Sequence, residues 1–237
     1  AINYLAALET DNPIQIDKKA VKDIMGNQYY SDFIEKETGI IRTKDFNTKI
    51  YNSKIGEEQN IIESFEIRPE SAALDLKLKQ DLINTASQKA KLLKEDPASL
   101  VIAYNSTVKN NYQDYQQEQD PTIKDRKFKK YVSSVVDAQE SMGVFSDNIK
   151  VLPKGTAVAI VQDYNNRKPQ EKIAYLQSLE NQYGDNYGRV LTQLSENELP
   201  ITAKLVSYLN DENFAIQATS VDSKEERKRL DQFLKDS

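Results

Sequence analysis

Most of the 7 prolines in this sequence stand where a helix can begin. Proline fixes φ near the helical value and lacks an N–H group, which is no loss in the first turn of a helix but breaks its interior. The pairs Asp96-Pro97 and Asp120-Pro121 give the clearest signal, because an aspartate at the N-cap accepts hydrogen bonds from free first-turn amides. The prolines therefore divide the chain into helix-sized segments.

Three long helices are predicted, beginning at Pro69, Pro97 and Pro121. In the helix that begins at Pro69, the apolar side chains follow one stripe, which turns slowly around the helix axis, as far as Lys94. After Pro97 and Pro121 the apolar residues again follow helical spacing, and Gly143 is well suited to end the third helix in the left-handed conformation. We expect the second and third helices to pack as an antiparallel pair.

Shorter helices are expected on both sides of these three. The candidates in the N-terminal third cover residues 17–25, 28–36, 44–51 and 57–65. The candidates in the C-terminal part cover residues 153–165, 169–183, 186–197, 200–210 and 223–235. Thr38-Gly39 is predicted to be a break between helices. The β-like run from Ala157 to Val161 keeps helical intervals behind a proline, so it is predicted to be helical.

These elements predict an all-α fold, an irregular multi-helix bundle that is either compact or elongated. We expect a small N-terminal helical unit of residues 1–67 and a main helical bundle of residues 68–237, each large enough to bury a core. No apolar run approaches the ~20 residues that a membrane-spanning helix needs. The prolines recur at unequal intervals, which disfavours a solenoid.

The sequence of 237 residues contains no cysteine and no histidine. Disulfides, thiolate nucleophiles, histidine-based catalytic triads and imidazole metal ligands are therefore excluded for these residues. Carboxylates, lysines and tyrosines remain for proton transfer, and we expect no cofactor and no enzymatic activity. The 37 acidic and 32 basic residues are mixed along the chain, which disfavours duplex nucleic acid as the main partner.

One stretch is similar to the start of a catalytic motif. Ile61-Ile62-Glu63-Ser64, followed by Pro69 and Ser71, resembles the Glu-Ser start of lytic transglycosylase motifs, in which the glutamate is the general acid. Such an acid needs an apolar pocket that raises its pKa. The Gly-Leu-Met-Gln block expected downstream is missing. Peptidoglycan cleavage by Glu63 is therefore an alternative function, and a solvated glutamate on an amphipathic helix is the favoured interpretation.

A group of acidic residues in the same region offers oxygen ligands for Ca²⁺ or Mg²⁺. Its members are Glu57, Glu58, Glu63 and Glu66. They lack the alternating loop spacing and central glycine of an EF-hand. A solvated helix face is favoured over a metal site.

A basic segment in the third long helix is the candidate nucleic-acid contact. Its members are Lys124, Arg126, Lys127, Lys129 and Lys130. Phe128 and Tyr131 interleave with them, as in proteins that bind single strands by backbone attraction and base stacking. Because the same two rings fall on the predicted core stripe, ordinary packing is favoured and a nucleic-acid-contacting helical protein is a second alternative.

Several short segments, taken in order, resemble large internal virion proteins of tailed phages and prophages, the ejection or core type. The segments are Asp17-Lys18-Lys19-Ala20-Val21, Thr38-Gly39-Ile40-Ile41, Asp96-Pro97-Ala98-Ser99-Leu100-Val101, Met142-Gly143-Val144, Leu152-Pro153-Lys154, Gln182-Tyr183-Gly184-Asp185 and Leu199-Pro200. They span nearly the whole chain, and their shared order carries the resemblance.

The resemblance implies a non-enzymatic, structural segment of a much larger protein. Such a segment would be packed inside the capsid near the portal and delivered into the host envelope during genome entry. Its partners would be other copies of itself and neighbouring virion proteins of the portal and core. The family pattern supplies no active-site residues to carry over.

Overall fold

The structure is a computed structural model that describes residues 2–9 and 15–200, together with the single residues Ala203 and Gln232. Across those residues all regular secondary structure is helical, which confirms the predicted all-α fold. The helices are α1 (Ile2–Glu9), α2 (Lys18–Asn52), α3 (Glu58–Glu63), α4 (Ala72–Glu95), α5 (Pro97–Tyr104), α6 (Ser106–Gln117), α7 (Pro121–Ser141), α8 (Lys154–Asn166), α9 (Pro169–Tyr183) and α10 (Tyr187–Glu196). The predicted helices at 200–210 and 223–235 lie outside the described residues.

The predicted helix starts are confirmed at both Asp-Pro pairs. The Asp96 side chain accepts a hydrogen bond from the amide of Ser99 at 3.2 Å. The Asp120 side chain accepts from the amides of Thr122 and Ile123 at 2.9 and 3.0 Å. At the other end of α7, Gly143 has a φ of 82°, as expected for a glycine that closes a helix.

The long helix predicted after Pro97 is wrong, because it ends at Tyr104 and a second helix begins at Ser106. Asn105 lies between them in an extended conformation, and its side-chain oxygen accepts from the amide of Val108 at 3.1 Å. Asparagine side chains compete with the helical backbone in this way. The third long helix of the chain is instead α2, which is kinked at Gly26.

Thr38-Gly39 does not separate two helices, as predicted from the glycine, but lies inside α2. A Cβ atom on Gly39 would lie 3.2 Å from Cδ1 of Leu78 and 3.4 Å from Cδ2 of Leu74. Glycine at this position therefore leaves room for the side chains of Leu74 and Leu78 of α4 to lie against the backbone of α2. α2 is instead broken at Gly26, between the predicted helices 17–25 and 28–36, where the φ of 79° and ψ of 166° suit glycine alone.

The chain packs as two compact units, residues 1–91 and 92–237. The sequence-based boundary lay at 67/68 instead. The difference arises because α4 is joined to the helices that precede it through Leu82 in the core and through Lys89, which binds Glu58 at the first residue of α3. We call residues 1–91 unit 1 and residues 92–237 unit 2.

The core of unit 1 joins α2, α3 and α4. Ile50, Ile62, Phe65 and Leu82 are its buried members. The rings of Phe46 and Phe65 meet edge to face, with centroids 5.1 Å apart. Burial of each such side chain contributes about 1.5–3 kcal/mol of transfer free energy.

The core of unit 2 is built mainly from α7, α8, α9 and α10. The run Ala157 to Val161 is helical as predicted, and its members Ala157 and Val161 are buried in this core. Two buried glutamines hold the irregular segment between α7 and α8. Gln139 donates to the carbonyl of Lys150 at 2.8 Å and accepts from its amide at 3.0 Å. Gln193 makes the same pair of bonds with Leu152. These amides satisfy buried backbone groups that no helix can pair.

Replacing Gly39 by leucine should destabilise unit 1 by about 2 kcal/mol, because the new side chain must displace Leu74 and Leu78. Gly155→Leu is the matched control, since a Cβ there meets open space inside α8. Thermal unfolding followed by circular dichroism measures both. Equal effects of the two substitutions would contradict the packing of Leu74 and Leu78 against Gly39.

Candidate functional site

The five basic residues predicted to contact nucleic acid all lie on α7, and the structure pairs two of them with acids. Lys127 forms an ion pair with Glu118 at 2.8 Å, and Lys129 pairs with Asp125 one turn away at 2.9 Å. Lys124 places its ammonium group 5.5 Å from the centroid of the Tyr115 ring. The side chains of Arg126 and Lys130 are exposed.

The aromatic rings interleaved with these bases belong to a packed cluster. Phe128 contacts Tyr115 and Tyr183 edge to face, with centroids 5.1 and 5.4 Å apart. The ring centroid of Tyr131 lies 5.2 Å from that of Tyr112. Burial raises the pKa of both Tyr131 and Tyr183 to about 12. These rings are engaged with one another, and nucleic-acid binding by this segment stays a prediction.

The acidic residues considered as metal ligands, Glu57, Glu58, Glu63 and Glu66, make separate contacts. Glu58 is taken up by an ion pair with Lys89 at 2.6 Å. The carboxylate of Glu57 accepts a hydrogen bond from the backbone amide of Lys54 at 3.3 Å. At Glu66 it is the backbone carbonyl that accepts, from Arg42 at 2.7 Å. Among the described residues, no group of three or more acids is arranged to hold a metal ion.

Glu63, the alternative catalytic acid, is exposed at the last residue of α3. Its carboxylate accepts a hydrogen bond from the side-chain amide of Gln59 at 2.7 Å. The hydroxyl of Ser64 donates to the carbonyl of Ile61 at 2.7 Å and so serves the helix end. A general acid of the glycosidase kind relies on an apolar pocket, and the surroundings of Glu63 are solvent and polar side chains.

The most highly connected polar centre of unit 1 is the carboxylate of Asp75, whose side chain is 0% exposed. Arg68 donates to it from Nε at 2.9 Å, from Nη2 at 2.8 Å and from its backbone amide at 3.0 Å. Arg42 donates from Nη1 to both carboxylate oxygens, at 3.2 and 3.0 Å. Sequence reasoning missed this centre, which ties α2, the segment before α4 and α4 together.

The hydrogen bonds from Arg68 hold the pKa of Asp75 far below its usual value, with Arg42 acting in the same direction and burial acting against both. The same Arg42 guanidinium lies 4.5 Å from the centroid of the Phe65 ring and donates to the carbonyl of Glu66. Its contacts therefore extend from the ionic centre to the apolar core of unit 1.

A second buried ionic centre lies two heptads further along α4, at Lys89, which is 0% exposed. Its ammonium group donates to the carbonyl of Ser53 at 2.7 Å, to the hydroxyl of Ser53 at 2.8 Å and to Glu58 at 2.6 Å. These three acceptors match the three donors of an ammonium group. Burial raises the pKa of Glu58, but the hydrogen bond and charge of Lys89 and the hydrogen bonds from backbone amides together lower it below its usual value.

A third centre fastens α1 to α2. Glu37, which is buried, accepts from the hydroxyl of Tyr4 at 2.6 Å and from the ammonium group of Lys18 at 2.8 Å. Burial raises the pKa of Glu37, yet these hydrogen bonds together lower it below its usual value. The ring of Tyr4 also lies against Phe33, with centroids 5.9 Å apart. Charge and apolar contact therefore act at the same junction.

Unit 2 carries a shallow cavity of about 240 Å³ with both acidic and basic side chains in its lining. Its lining comprises Lys94, Glu95, Asp96, Lys150, Lys154, Gln193, Glu196 and Asn197. Lys150 pairs with Glu196 at 2.6 Å, and Asp96 accepts from the amide of Lys154 at 3.1 Å. The cavity is mixed in charge, so its lining selects no particular class of ligand.

Replacing Asp75 by alanine should destabilise α4 in unit 1 by about 3 kcal/mol, because two guanidinium groups lose their buried partner. Asp45→Ala is the control, since Asp45 and Lys49 form an exposed pair worth less than about 1 kcal/mol. Hydrogen exchange with mass spectrometry follows the opening of α4 separately from that of unit 2. Similar effects of the two substitutions would contradict the central position of Asp75.

The stabilisation supplied by Asp75 should depend on pH in a defined direction. Because its pKa is lower in the folded chain than in the unfolded chain, the contribution is complete above the unfolded value of about 3.9. It is lost progressively as the pH falls below that value. The difference in α4 opening free energy between the wild type and Asp75→Asn, measured by hydrogen exchange, should shrink below about pH 4. A difference that stays constant down to about pH 2 would refute the ionised pairing.

Across the described residues, every helix is too short or too polar for a membrane span. No protein-family model, no curated protein and no solved structure matches the chain.

Proposed function

We propose that this chain is a non-enzymatic structural segment of a larger internal virion protein of a tailed phage. In this proposal it is packed near the portal, and it enters the host envelope when the genome is delivered. The order of turn and cap motifs that resembles such proteins supports the assignment. The all-helical architecture is compatible with it.

The observation that carries the structural role is the use made of buried charge in unit 1. Asp75, Lys89 and Glu37 are each buried. Each is bound by a side chain from another helix: Arg42 of α2 binds Asp75, Glu58 of α3 binds Lys89, and Tyr4 of α1 binds Glu37. Catalytic sites hold strained or perturbed groups open to a substrate. Here the buried charges act as fasteners between helices, which is the chemistry expected of a scaffold.

Several large apolar side chains are available for contacts with other proteins. The most exposed in the described part of the chain include Ile24 (84%), Phe145 (80%) and Tyr29 (66%). Aromatic residues are enriched at protein interfaces because they combine large contact area with a small entropic cost. These side chains support binding to other copies of the chain and to neighbouring virion proteins.

The proposal is tested on particles of the phage or induced prophage that encodes the chain. Mass spectrometry should find the chain in purified full particles, protected from added protease by the capsid. Particles triggered to release their genome should have lost it. Presence of the chain only in the lysate, outside the particles, would contradict the virion assignment.

A wall-digestion assay separates the proposal from the peptidoglycan-cleaving alternative. The wild-type chain and Glu63→Gln should leave purified peptidoglycan equally intact. Turnover by the wild type that falls ~10²-fold in Glu63→Gln would instead identify Glu63 as a general acid. Because Glu63 is exposed, the substitution should leave the fold unchanged, which circular dichroism checks.

A further inference from the structure

One face of α4 is apolar and exposed, although the opposite face of the same helix packs into unit 1. Leu76 is 57% exposed and Ile83 is 42% exposed. They are separated by two turns and lie on the same side of α4. The face therefore carries two exposed aliphatic side chains, two turns apart.

The exposed residues on this face recur at alternating intervals of three and four. They are Ala73, Leu76, Gln80, Ile83, Ser87 and Ala90, and all are exposed. This is the a and d pattern of a helix that packs along a second helix. We call these six residues the α4 stripe. The two largest side chains of the stripe, Leu76 and Ile83, occupy d positions. The smaller residues leave room for the side chains of a partner helix.

The charges beside the α4 stripe have one sign. Lys77 and Lys91 flank it on one side and Lys79 on the other, by their positions on the helix. None of the three forms an ion pair with a residue that the structure describes. Asp81, an exposed acid in the middle of α4, lies by its position on the side of the helix away from the stripe. The flanks of the stripe are therefore complementary to acidic side chains.

We propose that the α4 stripe binds an amphipathic helix of a partner protein, with leucine-like residues along its contact face and glutamate or aspartate on its flanks. The inference rests on the proposed assembly role and specifies the chemistry of the partner. A membrane surface fits the stripe less well, because interfacial helices use a broad apolar face, whereas this one contains Gln80 and Ser87.

The probe is a fluorescein-labelled synthetic helix of about three heptads with leucine at its a and d positions and glutamate at its e and g positions. Its twin carries lysine in place of glutamate. Fluorescence anisotropy with the full chain should show the acidic helix binding at least about tenfold more tightly than the basic twin, and less tightly as salt rises. Equal binding of the two peptides, or of neither, would overturn the proposal.

Two double variants locate the binding. Lys77→Glu with Lys91→Glu should weaken binding of the acidic helix by at least about tenfold, and Leu76→Ser with Ile83→Ser should weaken it as strongly. Arg126→Glu with Lys130→Glu makes the same change in net charge on α7 and should leave binding unchanged. A loss of binding in this control, or none in the α4 variants, would show that the peptide binds elsewhere.

Vesicles of phosphatidylglycerol provide the competing outcome. Sedimentation of the chain with these vesicles, in the absence of peptide binding, would replace the helical partner by a lipid surface and so refute the proposal. Each variant is checked by circular dichroism, and all the substituted side chains are exposed. Failure of the peptide experiment would leave the detection of the chain in particles unaffected, so the two proposals fail separately.

Discussion

The carboxylate of Asp75 is the constraint on which the packing of unit 1 depends. A buried charge without a partner costs several kcal/mol, so α4 is stable only where Arg42 and Arg68 reach Asp75. A shift of one helical turn, about 5.4 Å, would break these hydrogen bonds. Leu82 and Lys89 follow Asp75 at intervals of seven residues, and both are buried. The register that Asp75 fixes therefore also places Leu82 in the core and the ammonium group of Lys89 beside Glu58. Opposite charges at the two ends of this face also set the direction of α4, because a reversed helix would bring like charges together.

The positions of most helices could be predicted from local signals. Asp96 and Asp120 cap their helices through contacts within three residues, which is the distance over which a sequence pattern is informative. Gly39 could not be interpreted this way, since the same glycine signal marks a helix break or a close approach. The side chain that decides between them, Leu78, is 39 residues away in the chain. Asn105 led to the opposite error. The apolar spacing alone predicted one continuous helix, whereas the side chain of Asn105 caps the start of a second helix.

The candidate sites were predicted less well than the fold, and the reason is also distance along the chain. The basic segment on α7 was recognised as a run of charge, but the run does not indicate that Lys127 is bound by Glu118. Asp75 and Lys89 look like ordinary solvated residues in the middle of a helix. The two residues are fourteen apart, with Leu82 midway between them, and this heptad spacing was the available signal for a buried face. The acceptors that stabilise them, around residues 53–58, and the donors at residues 42 and 68 come from segments that only the fold brings together.

The two faces of α4 are linked through this register. The inward face is fixed by ion pairs and core packing, so the backbone that carries Leu76 and Ile83 is held in one orientation. A rigid, pre-formed helix loses little conformational entropy when a partner packs along it, which favours specific binding through a small apolar area. Lysines on the flanks add selectivity for acidic partners at little cost to the fold, because exposed charges contribute little to stability. Buried charge thus determines how α4 sits in unit 1, and exposed charge determines which partner helix is complementary to it.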